Sequence, residues 1–157
     1  MSTSVKHYLK GRLESVRDSY VKDLEAIRDE QMGTPFAGAA RTPYDFTYEV
    51  TFVNHRIAKR LRGEDPGAFA PDGWMKAPAE ACHKQTAIER YKVSMEDLIT
   101  AFDTVPESDM LKVITVPSGE TSPMDLAFFM CMHNNYHDAQ LNYIQALHGD
   151  DQMHWQD

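Results

Sequence analysis

The sequence predicts an all-α protein, a four-helix bundle folded as a single domain over residues 1-157. Three observations predict it. Four long stretches repeat apolar residues at spacings of three and four, the period of a helix with one buried face. Residues that start or stop helices bound those stretches. The composition, 42% hydrophobic and 10% aromatic over 157 residues, suffices for one core, and four amphipathic helices bury their stripes most simply against one another.

The first helix is expected from about Thr3 to Met32. Val5, Leu9, Leu13, Val16, Tyr20, Leu24 and Ile27 form its stripe, and Gly33 and Pro35 stop it. After a loop to Arg41, Thr42-Pro43-Tyr44-Asp45 reads as a helix start, with Thr42 capping, Pro43 at the first helical position and Asp45 reaching back. This second helix carries Phe46, Val50, Val53, Ile57 and Leu61 and ends at Gly63. The glycine- and proline-rich stretch to Lys76 is a loop in which Phe69 and Trp74 are expected to tuck in as anchors. A third helix is expected from near Pro78 to about Val105, closed by Pro106. Leu111 to Val116 is β-branched and weakly alternating, and Pro117-Ser118-Gly119-Glu120 is a turn, so a short extended hairpin is expected there. Ser122-Pro123-Met124-Asp125 repeats the cap signal, and the fourth helix runs to about His148, with Gly149 past its end. The long connections leave the topology open.

Sixteen Lys and Arg against 24 Asp and Glu give a formal charge of −8. So acidic a chain repels phosphate, which excludes a general nucleic-acid role. The one dense basic run, Arg56, Lys59, Arg60 and Arg62, reads as a solvated helix face. The first twenty residues hold no apolar signal core, and the longest apolar run, Leu126 to Met132, is far short of a membrane span. Cys82 and Cys131 are far apart, and a reducing, cytoplasmic setting with both thiols free and buried is expected.

Chemistry is suggested by histidines. His133 and His137 stand at i, i+4 in the fourth helix, roughly 6 Å apart on one face. Two imidazoles so placed can share one metal ion. With seven histidines such a pair arises by chance about one time in four, so it is weak alone. His55, deep in the second helix beside Tyr48, Thr51 and Phe52, adds a third imidazole. Three histidines from two facing helices are more economically ligands than separate core residues. Gln140 shares the His133–His137 face and could hold a ligand's free ring nitrogen. Thr51 and Tyr48, four and seven residues before His55, could line the site or simply pack. A di-iron bundle is poorly supported, because no Glu lies three residues before His55, His133 or His137. No catalytic acid or base is identifiable.

These residues carry a resemblance. Gly119-Glu120-Thr121-Ser122-Pro123, then His133-x-x-x-His137-x-x-Gln140-Leu141-x-Tyr143 and Ala146-Leu147-His148-Gly149, with a helix-two His just before Arg56 and Ile57, resemble the DinB/YfiT-like superfamily. The resemblance covers nearly the whole chain. It implies an up-down-down-up bundle holding a divalent metal, nickel or zinc, on His55, His133 and His137. The chain departs from the family pattern at Asp138-Ala139, where Asp138 is expected to be exposed. Three such ligands leave open positions on the ion, the catalytic pattern. The resemblance therefore implies a metal-dependent enzyme, a hydrolase or a low-molecular-weight-thiol transferase, activating water or a thiolate for a small-molecule substrate. The alternative is a non-catalytic, stress-associated bundle whose metal is structural or absent. A homodimer is also expected, because such bundles often pair and Tyr8 and Tyr20 exceed what one core would cover.

Overall fold

The structure, a computed structural model, describes residues 4–69, 74–117 and 119–155. Five α-helices and one small hairpin order the chain: α1 (Val5–Ala26), α2 (Asp29–Met32), α3 (Pro43–Leu61), α4 (Lys84–Thr104), β1 (Ile114–Val116), β2 (Gly119–Thr121) and α5 (Pro123–Leu147). α1, α3, α4 and α5 are the bundle. α1 packs on α4 and α5, and α3 packs on the same two, so α1 and α3 face each other across the core. The fold is all-α, with a two-stranded antiparallel hairpin as its only sheet among the described residues.

The first predicted helix divides in two. Ile27 and Arg28 adopt extended backbone, and the Arg28 amide donates to Gln31 Oε1 at 3.1 Å, which starts α2 afresh. Ile27 remains fully buried across the break. The expected start at Thr3 lies outside the described residues.

Each long helix begins as its local chemistry dictates. Thr42 Oγ1 accepts from the Asp45 amide at 3.2 Å, Asp45 Oδ2 accepts from the Thr42 amide, and Pro43 fills the first turn of α3. Asp45 Oδ1 also accepts from the Ala77 amide at 2.9 Å, tying the following loop to the same cap. Ser122 caps α5 through the Asp125 amide. The third predicted helix starts later than Pro78: a 3-10 turn, Ala79–Ala81, precedes α4. Gly63 and Gly149, with φ of +75° and +85°, follow the ends of α3 and α5 in the left-handed conformation that releases a helix carbonyl end. In the hairpin Val116 pairs with Gly119, so the strands are shorter than expected; Ser118 of the predicted turn lies outside the described residues.

The core is one cluster running the length of the bundle, with Leu13, Tyr20, Leu24, Phe46, Val50, Tyr91, Met95, Leu98, Phe102, Met130 and Leu141 fully or almost fully buried. Tyr20 therefore belongs to this core, stacked on Tyr91 at 4.3 Å, and is not surplus apolar surface. A polar layer crosses it. Tyr91 Oη donates to Asn134 Oδ1 at 3.0 Å, Asn134 donates to Asn54 Oδ1 at 3.2 Å, and Asn54 donates to Ser94 Oγ at 3.0 Å.

Three further expectations are corrected. Phe69 and Trp74 are 65% and 70% exposed, not tucked in, because each serves as a ring beside a guanidinium: Arg56 lies 5.2 Å from Phe69 and Arg41 lies 5.0 Å from Trp74. Arg56 itself is buried, not on a solvated face, because carbonyls of the 66–68 loop wrap its head group. Asp138 is buried too, at the α1–α5 contact beside Asp23. Burial and the Asp23 carboxyl push its pKa up to about 8, and burial raises that of Asp23 as well. A proton kept on Asp138 removes one of the two negative charges that burial side by side penalises. Cys82 and Cys131 are both free; Cys131 is buried and Cys82 half-buried. No helix of the described residues is long and apolar enough to cross a membrane.

Candidate metal centre

α3 and α5 meet near the middle of the bundle and bring three side chains together: Glu49, His133 and His137. On α3 the apolar stripe recurs at Phe46, Val50, Val53 and Ile57, and Glu49 falls within it, three residues after Phe46 and four before Val53. Its carboxylate is therefore carried into the helix–helix seam. On α5 the i, i+4 spacing points His133 and His137 at the same seam. Their rings are 4.8 Å apart and nearly perpendicular.

One candidate ligand atom from each of the three residues lies within 4.8 Å of the other two. The Nε2 atoms of His133 and His137 stand 3.7 Å and 3.8 Å from the same oxygen, Glu49 Oε1. These separations are too long for hydrogen bonds. They are close to the roughly 3.4 Å that separates ligand atoms on a tetrahedral ion with bonds of about 2.0–2.2 Å. The donor set of two imidazoles and one carboxylate suits a divalent cation and leaves positions open. The residues present thus fit a metal ion.

The surroundings hold each ligand. Gln140 Oε1 lies 2.8 Å from His137 Nδ1. A carbonyl oxygen can only accept, so this contact suits an Nδ1–H and leaves Nε2 as the atom turned toward Glu49. Phe46 stacks on the His137 ring and Phe129 on the His133 ring. His133 Nδ1 is buried without a hydrogen-bond partner, so stacking is what fixes that ring. Arg41, from the loop before α3, places Nη2 2.6 Å from Glu49 Oε2. One carboxylate oxygen is thus held by Arg41 while the other faces the imidazoles. The His133 imidazole, then that of His137, hold the Glu49 carboxyl well below the usual carboxylate range; Arg41 adds to this, against the opposing effect of burial. Glu49 and His133 border one cleft, and Gln140 with Arg41 and Phe46 border a second.

His55 is not part of this cluster. It sits six residues after Glu49, roughly 240° around the helix, and so faces away from the seam. Its Nδ1 is 2.7 Å from Asp97 Oδ2, and Arg62 binds the other oxygen of Asp97 at the same distance. Tyr48 and Thr51 lie with His55 in a shallow groove against α4, remote from the cluster's face, so neither supports the ligands. Gln140 does touch a ligand. Glu49 and Arg41 were missed by sequence reasoning. A carboxylate inside an apolar stripe was the available signal for Glu49; Arg41 stands in a loop and offered none.

A family model described as the DinB superfamily matches residues 11–141. Among solved structures, the chain is similar to the crystal structure of a conserved protein from Enterococcus faecalis. The TM-score is 0.72 at 14% identity, covering 93% of this chain and 98% of that one. At that identity the likeness speaks for the fold alone. No curated protein matches the chain.

Proposed function

The chain belongs to the DinB superfamily, and from that premise we propose that it is a metal-dependent enzyme, of hydrolase or low-molecular-weight-thiol transferase type, with Glu49, His133 and His137 as its ligands. One observation carries the reading: two imidazole nitrogens converge on a single carboxylate oxygen at 3.7 Å and 3.8 Å, spaced for a shared ion and not for hydrogen bonds. Nickel and zinc are the ions we propose, and the cytoplasm the compartment.

A bound divalent ion would supply Lewis acidity, lowering the pKa of water or of a substrate thiol toward neutrality. The chain's own residues do the rest. Gln140 fixes the His137 tautomer, so that no proton needs to leave Nε2 on metal binding. Arg41 takes one oxygen of Glu49 and favours one-oxygen ligation by the other. Val53, Leu126 and Phe129 wall the cleft beside Glu49 and His133 with apolar surface, which limits water there. Burial pushes the Cys131 thiol up to about 11, away from the thiolate a nucleophile needs, and the Cys82 thiol donates to the Ala77 and Pro78 carbonyls.

Elemental analysis of unchelated protein, with calorimetric titration of the stripped protein by zinc and nickel, tests the reading. About one ion per chain is expected, lost in both Glu49→Gln and His133→Ala, with turnover in a thiol-transfer and ester-hydrolysis panel that disappears in the same variants. Metal retained by both variants, or no binding of either ion to the wild type, refutes the site. Metal binding without any turnover favours the structural bundle instead.

A further inference from the structure

The cleft beside Glu49 and His133 leads to a second pole of charge. It encloses about 760 Å3 between α3, the start of α5, the hairpin and the loop that follows α3, a size suited to a small molecule. Glu49, Val53, Arg56 and Arg60 border it at successive spacings of four, three and four, which is one face of α3. Arg60 lies eleven residues beyond Glu49, roughly 16 Å along the helix axis. Apolar side chains, Val53, Ile57, Leu126 and Phe129 among them, line the cleft.

Two guanidiniums stand on this face, and neither has a carboxylate within ion-pair distance among the described residues; Asp65 acts on Arg56 only from farther off. Arg56 is buried and donates only to backbone carbonyls, those of Pro66, Gly67 and Ala68 at 3.0, 3.0 and 2.8 Å. Those dipoles solvate its charge and do not cancel it. Arg60 is half-buried and has neither hydrogen bond nor ion pair among the described residues. Two like charges one turn apart repel: burial first, and then the Arg60 charge, lower the pKa of Arg56, with Asp65 opposing them. The acids of the cleft do not relieve this. Asp125 is engaged at 2.6 Å by the Ser122 hydroxyl in the α5 cap, and Glu120 on β2 bonds to neither arginine.

We propose that this cleft binds an amphipathic anion, with a carboxylate or phosphate head on Arg60 and an apolar body along Val53, Ile57, Leu126 and Phe129. The far end of that body would reach the Glu49–His133–His137 cluster. Only this last clause rests on the metal-enzyme reading; recognition of head and body belongs to α3, α5 and the hairpin, with or without an ion.

Calorimetric titration of the metal-stripped full chain with octanoate, octyl phosphate, 1-octanol and butyrate tests this. At least one eight-carbon anion should bind about tenfold or more tighter than 1-octanol and than butyrate, and the better of the two identifies the head group. Arg60→Gln should abolish that advantage while leaving 1-octanol within about twofold. Arg60→Lys should keep part of it, because a point charge survives where the planar fork is lost. The Arg60 side chain has neither hydrogen bond nor ion pair among the described residues, so helical circular dichroism should not change in either variant. His137→Ala, which removes a ligand outside the cleft lining, should lose metal and keep anion affinity, so failure of the metal site and failure of this proposal read out separately. The proposal is overturned if neither anion outbinds 1-octanol, if butyrate matches octanoate, or if the advantage survives Arg60→Gln.

Discussion

At the scale of single residues, Glu49 and His55 separate two roles on one helix. Replacing His55 by Ala removes a partly exposed pairing with Asp97, in which Arg62 already satisfies the carboxylate. A loss of only about 0–1 kcal/mol is expected, with metal content unchanged in elemental analysis. Arg41→Ala should weaken metal binding about 10–100-fold in calorimetric titration, because a Glu49 oxygen is released from its partner. Asp138 gives a prediction of opposite sign to the usual carboxylate. Its pKa is raised, so between the ordinary value near 3.8 and about 8 the unfolded chain releases a proton that the folded chain keeps. Stability associated with this group is therefore full below the ordinary value and is lost as pH rises through about 8. Asp138→Asn cannot ionise, and its amide can donate to Asp23. Thermal melts should show it more stable than wild type at pH 9, by on the order of 2 kcal/mol, with the difference shrinking at pH 4. An unchanged or larger gap at pH 4 would contradict the raised pKa of Asp138.

At the scale of elements, the α3 cap and the polar layer set where the ligands stand. The Thr42 cap fixes the first turn of α3, and Glu49 follows two turns later. Thr42→Ala should cost about 1 kcal/mol in denaturant melts. The Asn134 amide links α5 to α3 through Asn54 and to α4 through Tyr91, directly after His133 and three residues before His137. Asn134→Leu leaves the buried Tyr91 hydroxyl and the Asn54 carbonyl without their partner. It should cost about 2–4 kcal/mol, far beyond what its burial as an apolar side chain returns.

At the scale of the molecule, the core is complete without an ion, since four long apolar stripes already close on one another. Chelation should therefore lower the melting temperature while leaving helical circular dichroism at room temperature intact, unlike a zinc finger. Unfolding on chelation would make the ion structural. Exposed apolar side chains occur in several elements, and on α5 Phe128, Met132, Tyr136, Tyr143 and Leu147 fall along one face beside His133 and His137. A helix apolar on both sides usually meets a second partner. We propose a second copy of the chain as that partner, and light scattering at micromolar concentration that returned 17.9 kDa would reject it.

The four long helices, most of their caps, the hairpin and the stripe that forms the core were legible in residue order, apart from the break at Ile27–Arg28 and the later start of α4, because these depend on residue period and on backbone chemistry within a few positions. The sequence by itself also determined the facing of His133 and His137, which one helix turn dictates. The third member of the proposed ligand set was not decided by residue type. His55 is the better ligand in isolation, but its angle on α3 directs it to Asp97, whereas Glu49 occupies the seam. Only the packing of α3 against α5 decides which side of α3 is the inside of the site. The same holds for Arg41 on Glu49, for the loop that buries Arg56, and for Asp23 opposite Asp138. Each pairs residues distant in sequence through surfaces that exist only once the bundle has closed.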